Sequence, residues 1–173
     1  MKSFSRPSYR IANAPSEVKW IYTFFLLFML IGFLTIGGYE FIRIGFHPQA
    51  VSEHYLGASG GEESPAFAKP FSALLETTHF HAFIMGVIYL TLAHLFIATE
   101  FRRGFKIFVV ILGFLSAFLD LLLPWAIRYG SSAFAPVLLR AWVGDWGGFM
   151  AMILASFYDL WIRPKRRGES EEI

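Results

Sequence analysis

The chain has 173 residues, of which 55% are hydrophobic and only 16% charged, and its formal net charge is +2. Ordinary soluble domains carry roughly 25% charged residues, and the apolar residues here come in long blocks, which is typical of a membrane protein. The chain contains no cysteine, which excludes disulfides, thiolate metal sites, iron–sulfur clusters and covalently attached c-type haem.

The apolar blocks predict an all-α, integral membrane four-helix up-down bundle, because about 20 helical residues cross a bilayer core of about 30 Å and the connections between the later helices are short. Pro124 is expected to kink or end the third helix. The long connection over residues 43–70 is rich in glycine and proline in its second half, which argues against regular structure there. The expected organisation is a basic tail over 1–19, a membrane domain over 20–162 with helices at about 20–42, 71–99, 105–127 and 137–162, and a charged tail over 163–173.

The distribution of basic residues predicts the orientation of the bundle. Eleven of the 15 Lys and Arg residues lie in the N-terminal tail, the turn between the second and third helices, and the C-terminal tail. The positive-inside rule therefore predicts that both termini are cytoplasmic and that the loop over residues 43–70 is outside. The expected location is a bacterial inner membrane. The basic balance reflects this topology and does not indicate nucleic-acid binding.

The second predicted helix carries three histidines, His79, His81 and His94. Ionisable residues inside a spanning helix are costly and rare, so each is a candidate functional residue. His79 and His81 are two residues apart and point in nearly opposite directions, so only one of them can face the bundle. His79 and His94 lie on one broad stripe, about 22 Å apart along the axis, and Gly86 lies between them.

This helix resembles the haem-bearing helices of the cytochrome b family, which carry two histidines about this far apart and small residues where the macrocycle approaches. Its segment THFHAFIMG also resembles the H-x-H helix openings of nitric-oxide-reductase-like and NnrS-like membrane haem proteins. The resemblance implies a b-type haem with His79, His81 or His94 as ligand candidates and Gly86 beside the macrocycle. The other three predicted spanning helices lack histidine. A second axial ligand would therefore come from the long loop, a partner subunit or a second copy of the chain.

The same histidines also fit a transition-metal site. His47 and His54 lie in the long loop, on the side of the membrane where His79 and His81 are expected. Neutral imidazoles with a carboxylate suit Zn, Cu, Fe or Ni. In this interpretation the metal ligands would be drawn from His47, His54, His79, His81 and His94.

Several charged residues fall inside or beside the predicted helices. Asp120 and Asp145 lie within the third and fourth helices, and Arg128 and Arg140 flank the connection between them. An Asp–Arg pair would lower the cost of each charge, either as a structural clasp or as part of a proton or quinone path past His81. Glu76 is expected to cap the second helix or to orient His79.

The sequence leaves three functional hypotheses open. The leading one is a small integral membrane subunit that binds b-type haem and takes part in electron or quinol transfer within a larger respiratory-type complex. The alternatives are a non-enzymatic structural or assembly subunit, and a transition-metal binding or transport protein. The chain has no Walker loop, G-x-S-x-G, H-E-x-x-H or C-x-x-C motif, so it is not expected to be an enzyme on its own. The expected partners are the lipid bilayer, other membrane subunits or a second copy, and quinone.

Overall fold

A computed structural model describes residues 10–58 and 67–163 of the chain. The first nine residues of the predicted N-terminal tail, and all of the predicted C-terminal tail except Arg163, lie outside the described residues. The described residues form helices and no strand. The five α-helices are α1 (Ser16–Arg43), α2 (Pro48–Leu56), α3 (Phe71–Ile97), α4 (Arg103–Tyr129) and α5 (Ala135–Phe157). A π-helical turn, Tyr158–Ile162, extends α5, and a short 3-10 helix, Ile11–Asn13, precedes α1.

Four of these helical segments are long and apolar enough to cross a membrane, which confirms the prediction of a four-span helical protein. Of the two outcomes expected at Pro124, a kink or an end of the helix, the second is excluded, because α4 continues to Tyr129. A proline is tolerated inside a spanning helix when neighbouring groups satisfy the carbonyl that it leaves free. Pro124 therefore lies within the bundle and does not mark its edge.

Helix α2 was not predicted and lies in the first half of the long connection. Pro48 begins the helix, where its fixed φ is favourable and its missing N–H costs nothing. Gly57 ends the helix with a φ of 89°, which favours glycine. Val51 and Tyr55 are buried and belong to a cluster with residues of α3, α4 and α5 that includes Leu138. This short helix closes one end of the bundle, called here the α2 end. The opposite end is called the termini end.

Helix α5 is the centre of the bundle and packs against α4, α3 and α1. The α4–α5 contact is close, because Gly148 approaches Gly113 and Gly144 approaches Ser116. Small residues let spanning helices approach at backbone distance. Helix α1 packs against α5 and makes few contacts with α3, which leaves a gap between α1 and α3.

A buried polar network fastens the termini end. Asp159 is fully buried, and it accepts a hydrogen bond of 2.6 Å from Arg163 and a longer one from the backbone N–H of Glu100. Glu100 in turn forms a 2.8 Å ion pair with Arg10. Ile11, the residue after Arg10, is also buried. The segment before α1 is therefore held against the α3–α4 turn and the end of α5.

Candidate functional site

Two adjoining cavities lie inside the bundle, each with a volume of about 250 Å³. They share five lining residues from α1, α3, α4 and α5, and are together called the acidic cavity. The shared residues are Ile36, Glu40, His81, Asp120 and Trp142. One chamber extends towards α2, and the other extends between α1 and α3 and also reaches Asp145.

Three carboxyl groups line the acidic cavity, and all three lie on spanning helices. Asp120 accepts a 2.6 Å hydrogen bond from the indole N–H of Trp142, and Asp145 accepts a hydrogen bond from the hydroxyl of Tyr89. Glu40 comes from α1. Carboxyl groups in a membrane span are costly and mark sites for ions, protons or ligands. The presence of three carboxyl groups in one cavity therefore marks this cavity as the candidate functional site.

The structure distinguishes between His79 and His81. His81 lines the acidic cavity, and its Nδ1 lies 2.9 Å from the carbonyl oxygen of Thr77. A carbonyl can only accept, so in the neutral ring Nδ1 carries the proton and Nε2 is left as an acceptor. His79 is exposed, with its ring packed edge-on against Phe83 at 5.3 Å between centroids. His81 is therefore the histidine that faces the bundle.

The stripe predicted to carry a haem lies on the exposed face of α3. Gly86 is exposed, and a Cβ there would meet no atom within 4 Å. The described residues therefore form no slot for a macrocycle at this glycine. His94 is also exposed but borders a separate, mostly apolar pocket of about 450 Å³ that includes Tyr22 and Phe25. Its Nδ1 lies 2.8 Å from the carbonyl oxygen of Leu90.

The two loop histidines lie in different surroundings. His47 is exposed just before α2. His54 lines the α2 chamber, and its buried Nε2 has no hydrogen-bond partner among the described residues. Burial, with smaller contributions from Lys69 and Arg43, lowers the pKa of His54 to about 4. Within residues 10–58 and 67–163, no three His, Asp or Glu side chains are grouped so that they could hold a metal ion.

The charged residues predicted to form a clasp or a proton path are called here the charge relay, and they come together only in part. Asp120 and Asp145 lie at the cavity, while Glu76 and Arg140 are exposed. Arg128 donates to the backbone carbonyl of Lys69 at 2.9 Å. None of the ion pairs among the described residues joins either aspartate to an arginine of this relay.

The expected Asp–Arg clasp is therefore not formed, because Trp142 and Tyr89 supply the hydrogen bonds instead. The expected cap by Glu76 is also wrong. Helix α3 starts at Phe71 with Pro70 as its N-cap, which places Glu76 beyond the first turn.

Four further residues of the site were not singled out from the sequence. Glu40 could have been recognised as the only charged residue within an otherwise apolar run of α1. Tyr55 and Lys69 line the α2 chamber, with the Lys69 ammonium 5.2 Å from the centre of the Tyr55 ring. Burial raises the pKa of Tyr55 and lowers that of Lys69. Tyr89 gave no signal, because a tyrosine in an apolar helix is usually part of the core or an aromatic belt.

A chain with four spanning helices and a carboxyl-lined cavity between them is a multi-pass integral membrane protein. It belongs to the Aq_1264_TM family, a transmembrane helical domain whose model matches residues 45–167. The matched region covers α2 to α5 and leaves out α1. No curated protein and no solved structure matches the chain.

Proposed function

We propose that the acidic cavity binds the head group of a quinone or quinol, and that the protein serves as a quinol-handling subunit of a larger electron-transfer assembly in the bacterial inner membrane. The observation that carries this proposal is the meeting of one imidazole with three carboxyl groups in a single intramembrane cavity. The imidazole is that of His81, and the carboxyl groups are those of Glu40, Asp120 and Asp145.

The donors and acceptors in the cavity match the chemistry of a quinol. The two hydroxyl groups of a quinol donate hydrogen bonds, and Nε2 of neutral His81 can accept one of them. Oxidation to the quinone releases two protons and two electrons. His81, Asp120 and Glu40 are suited to receive the protons as general bases. The electrons must pass to an acceptor of a partner subunit, which is why the proposal places the chain within an assembly.

The walls of the chamber between α1 and α3 suit the apolar part of a quinone. Phe33 stacks on Phe149 with 4.1 Å between ring centroids, and Trp146 lies beside Phe33 at 5.0 Å. All three line the chamber between α1 and α3. Small-molecule sites are mostly apolar with a few placed polar groups, and this chamber has that composition.

The test is a titration of the purified protein with a short-chain quinone, followed by quenching of tryptophan fluorescence, since Trp142 and Trp146 line the cavity. We expect His81→Ala to weaken binding at least about tenfold, which corresponds to the loss of about one strong hydrogen bond. The matched control is His79→Ala, two residues away on the exposed face of α3, which should stay within about twofold of wild type. Equal effects of the two variants, or no saturable quenching in wild type, would contradict the proposal.

A second candidate function is b-type haem binding at His94, on the termini side of α3. His94 borders the apolar pocket of about 450 Å³ with its Nδ1 already bonded to a backbone carbonyl, so Nε2 is left for a metal. Haem-ligating histidines are commonly oriented in this way. Because His94 is exposed, a partner subunit or a second copy would supply the other ligand.

The haem proposal is tested by the optical spectrum of the detergent-purified protein after expression with haem supplied. We expect a Soret band with sharp α and β bands on reduction, lost in His94→Ala and retained in His79→Ala. Absence of a Soret band overturns it. If the protein binds neither haem nor quinone and carries no stoichiometric metal, the structural or assembly hypothesis is the one that stands.

A further inference from the structure

We propose that the ligand of the acidic cavity is a long-chain isoprenoid quinol that enters sideways from the bilayer, through the gap between α1 and α3. This inference rests on the proposed function and specifies its substrate class and route. The gap is called here the lateral portal, and the residues of α1 and α3 that line it are Phe28, Met29, Gly32, Ile84, Met85 and Ile88.

The acidic cavity is polar at one end and apolar at the other. The chamber towards α2 is lined by polar groups of α2, of the segment before α3 and of α3 itself, including His54, Lys69 and Thr77. The chamber between α1 and α3 is bordered mostly by aliphatic, aromatic and methionine side chains, and Asp145 is its one acidic residue beyond those that the two chambers share. His81 and Asp120 lie where the chambers meet. A ligand that fills both chambers must carry a polar head and an apolar tail.

The lateral portal opens towards lipid. Phe28 is 70% exposed and Ile84 is 50% exposed, and both lie near the middle of their helices. At this depth the surroundings of a spanning helix are hydrocarbon. Because α1 packs on α5 and has few contacts with α3, the two helices are not closed against each other. An isoprenoid tail can therefore leave the cavity into the bilayer without crossing water.

The mouth of the lateral portal has a glycine, Gly32, on its α1 side. Gly32 lines the chamber, yet a Cβ at this position would meet no atom within 4 Å. Met29 and Met85 line the chamber beside it, and unbranched methionine side chains adapt readily to ligands of irregular shape. A bulky side chain at Gly32 has open space to extend across the mouth, in the region that the tail needs.

The charges of the cavity distinguish an isoprenoid quinol from a membrane phospholipid. A phosphate head group carries a charge that is costly to bury in an apolar span, and the carboxyl groups of Glu40, Asp120 and Asp145 beside it supply no positive partner. The hydroxyl and carbonyl groups of a quinol or quinone are uncharged and can bond to the same carboxyl groups. The cavity therefore favours a neutral head group on a long apolar chain.

The experiment uses the full chain in phosphatidylcholine nanodiscs and two probes, a long-chain isoprenoid quinone dissolved in the bilayer and a tail-less water-soluble quinone. Binding is read from tryptophan quenching. We expect Gly32→Phe to weaken the long-chain quinone at least tenfold and to leave the tail-less quinone within twofold. The matched control is Gly38→Phe on the same helix, where a side chain also meets open space but does not border the cavity, and it should change neither affinity.

The outcomes separate the portal from the proposed function. If Gly32→Phe binds the long-chain quinone as wild type does, or if wild type takes only the tail-less quinone, the lateral portal is wrong while the quinone site stands. If wild type binds neither probe, the proposed function itself fails. Ile84→Trp adds bulk on the α3 side of the mouth and should reproduce the selective loss. Loss of both quinones in both variants also overturns the portal.

Discussion

Two tryptophan hydrogen bonds near the acidic cavity satisfy different acceptors. Trp142 donates to the carboxyl of Asp120 at 2.6 Å, and Trp125 donates to the hydroxyl of Thr78 at 2.8 Å. That hydroxyl is itself bonded to the carbonyl of Leu74, so it keeps a partner when the indole is removed. The carboxyl of Asp120 has no ion-pair partner among the described residues. The bond from Trp142 should therefore contribute more to stability.

We predict that Trp142→Phe lowers the free energy of unfolding by about 1–3 kcal/mol, because it leaves the carboxyl of Asp120 without its donor in an apolar span. Trp125→Phe should cost about 1 kcal/mol or less. The measurement is thermal unfolding of both variants in the same detergent. Equal shifts in the melting temperature would show that the carboxyl does not depend on the indole.

His54 makes the stability of the α2 end depend on pH. Its pKa in the folded protein is about 4, against an ordinary value of 6.5, so the unfolded segment takes up a proton first as the pH falls. The stability from this group is therefore complete above about pH 6.5 and is lost as the pH falls towards 4. Because the imidazole is only partly buried, the effect at pH 5 should be about 1 kcal/mol.

We predict that His54→Gln removes this part of the pH dependence, which is measured as the change in melting temperature between pH 7 and pH 5. His47→Gln is the control, since His47 is exposed at the start of the same helix. The interpretation fails if the wild-type protein and the His54 variant show the same slope against pH.

At the scale of the helices, the close contact between α4 and α5 limits which substitutions the bundle tolerates at its glycines. A Cβ at Gly148 would lie 2.9 Å from the backbone of Gly113, which cannot move aside as a side chain could. We predict that Gly148→Ala separates the two helices and lowers stability by about 1–3 kcal/mol. Gly147→Ala is the control, because this neighbour is exposed and a Cβ there meets nothing within 4 Å. It should be neutral or slightly stabilising, as alanine favours helix over glycine, and melting temperatures of the two variants decide between these outcomes.

The spanning helices were predictable because a bilayer of fixed thickness demands long apolar runs, and α1, α3, α4 and α5 each have one. Helix α2 was not predictable in this way, because its nine residues, which begin at Pro48 and are followed by Gly57, are too few to form a long apolar run. The sequence also could not choose between His79 and His81. Helix α3 is apolar on all sides, so its rotation is fixed by packing against other helices and not by a polar face.

Several residues of the candidate site were predicted individually, but their meeting in one cavity was not. His81, Asp120 and Asp145 were each recognised as ionisable groups in apolar surroundings. Their meeting with Glu40 depends on how three helices pack around α5, and no local pattern encodes that. The arginines expected to pair with the aspartates were chosen by proximity along the chain. In the folded protein, indole and phenol groups of neighbouring helices satisfy these carboxyl groups instead.

For the molecule as a whole, the absence of cysteine makes the predicted orientation directly testable. We predict that Gln49→Cys, at the α2 end, reacts with a membrane-impermeant maleimide in intact cells. Arg102→Cys, in the turn between α3 and α4, should react only after the membrane is permeabilised. Both positions are exposed, so reactivity reports the side of the membrane. The reverse pattern would show that the termini face outside.

The length of α1 has a consequence for how the protein responds to its membrane. Its 28 residues span about 42 Å, more than the roughly 30 Å of a hydrocarbon core, so α1 is expected to lean within the bilayer. The ion pair of Arg10 with Glu100 anchors the segment just before α1. A change in tilt is then a rotation of α1 about this anchored end. A thinner bilayer should tilt α1 further than a thicker one. The length of the lipid acyl chains should therefore change the width of the lateral portal between α1 and α3.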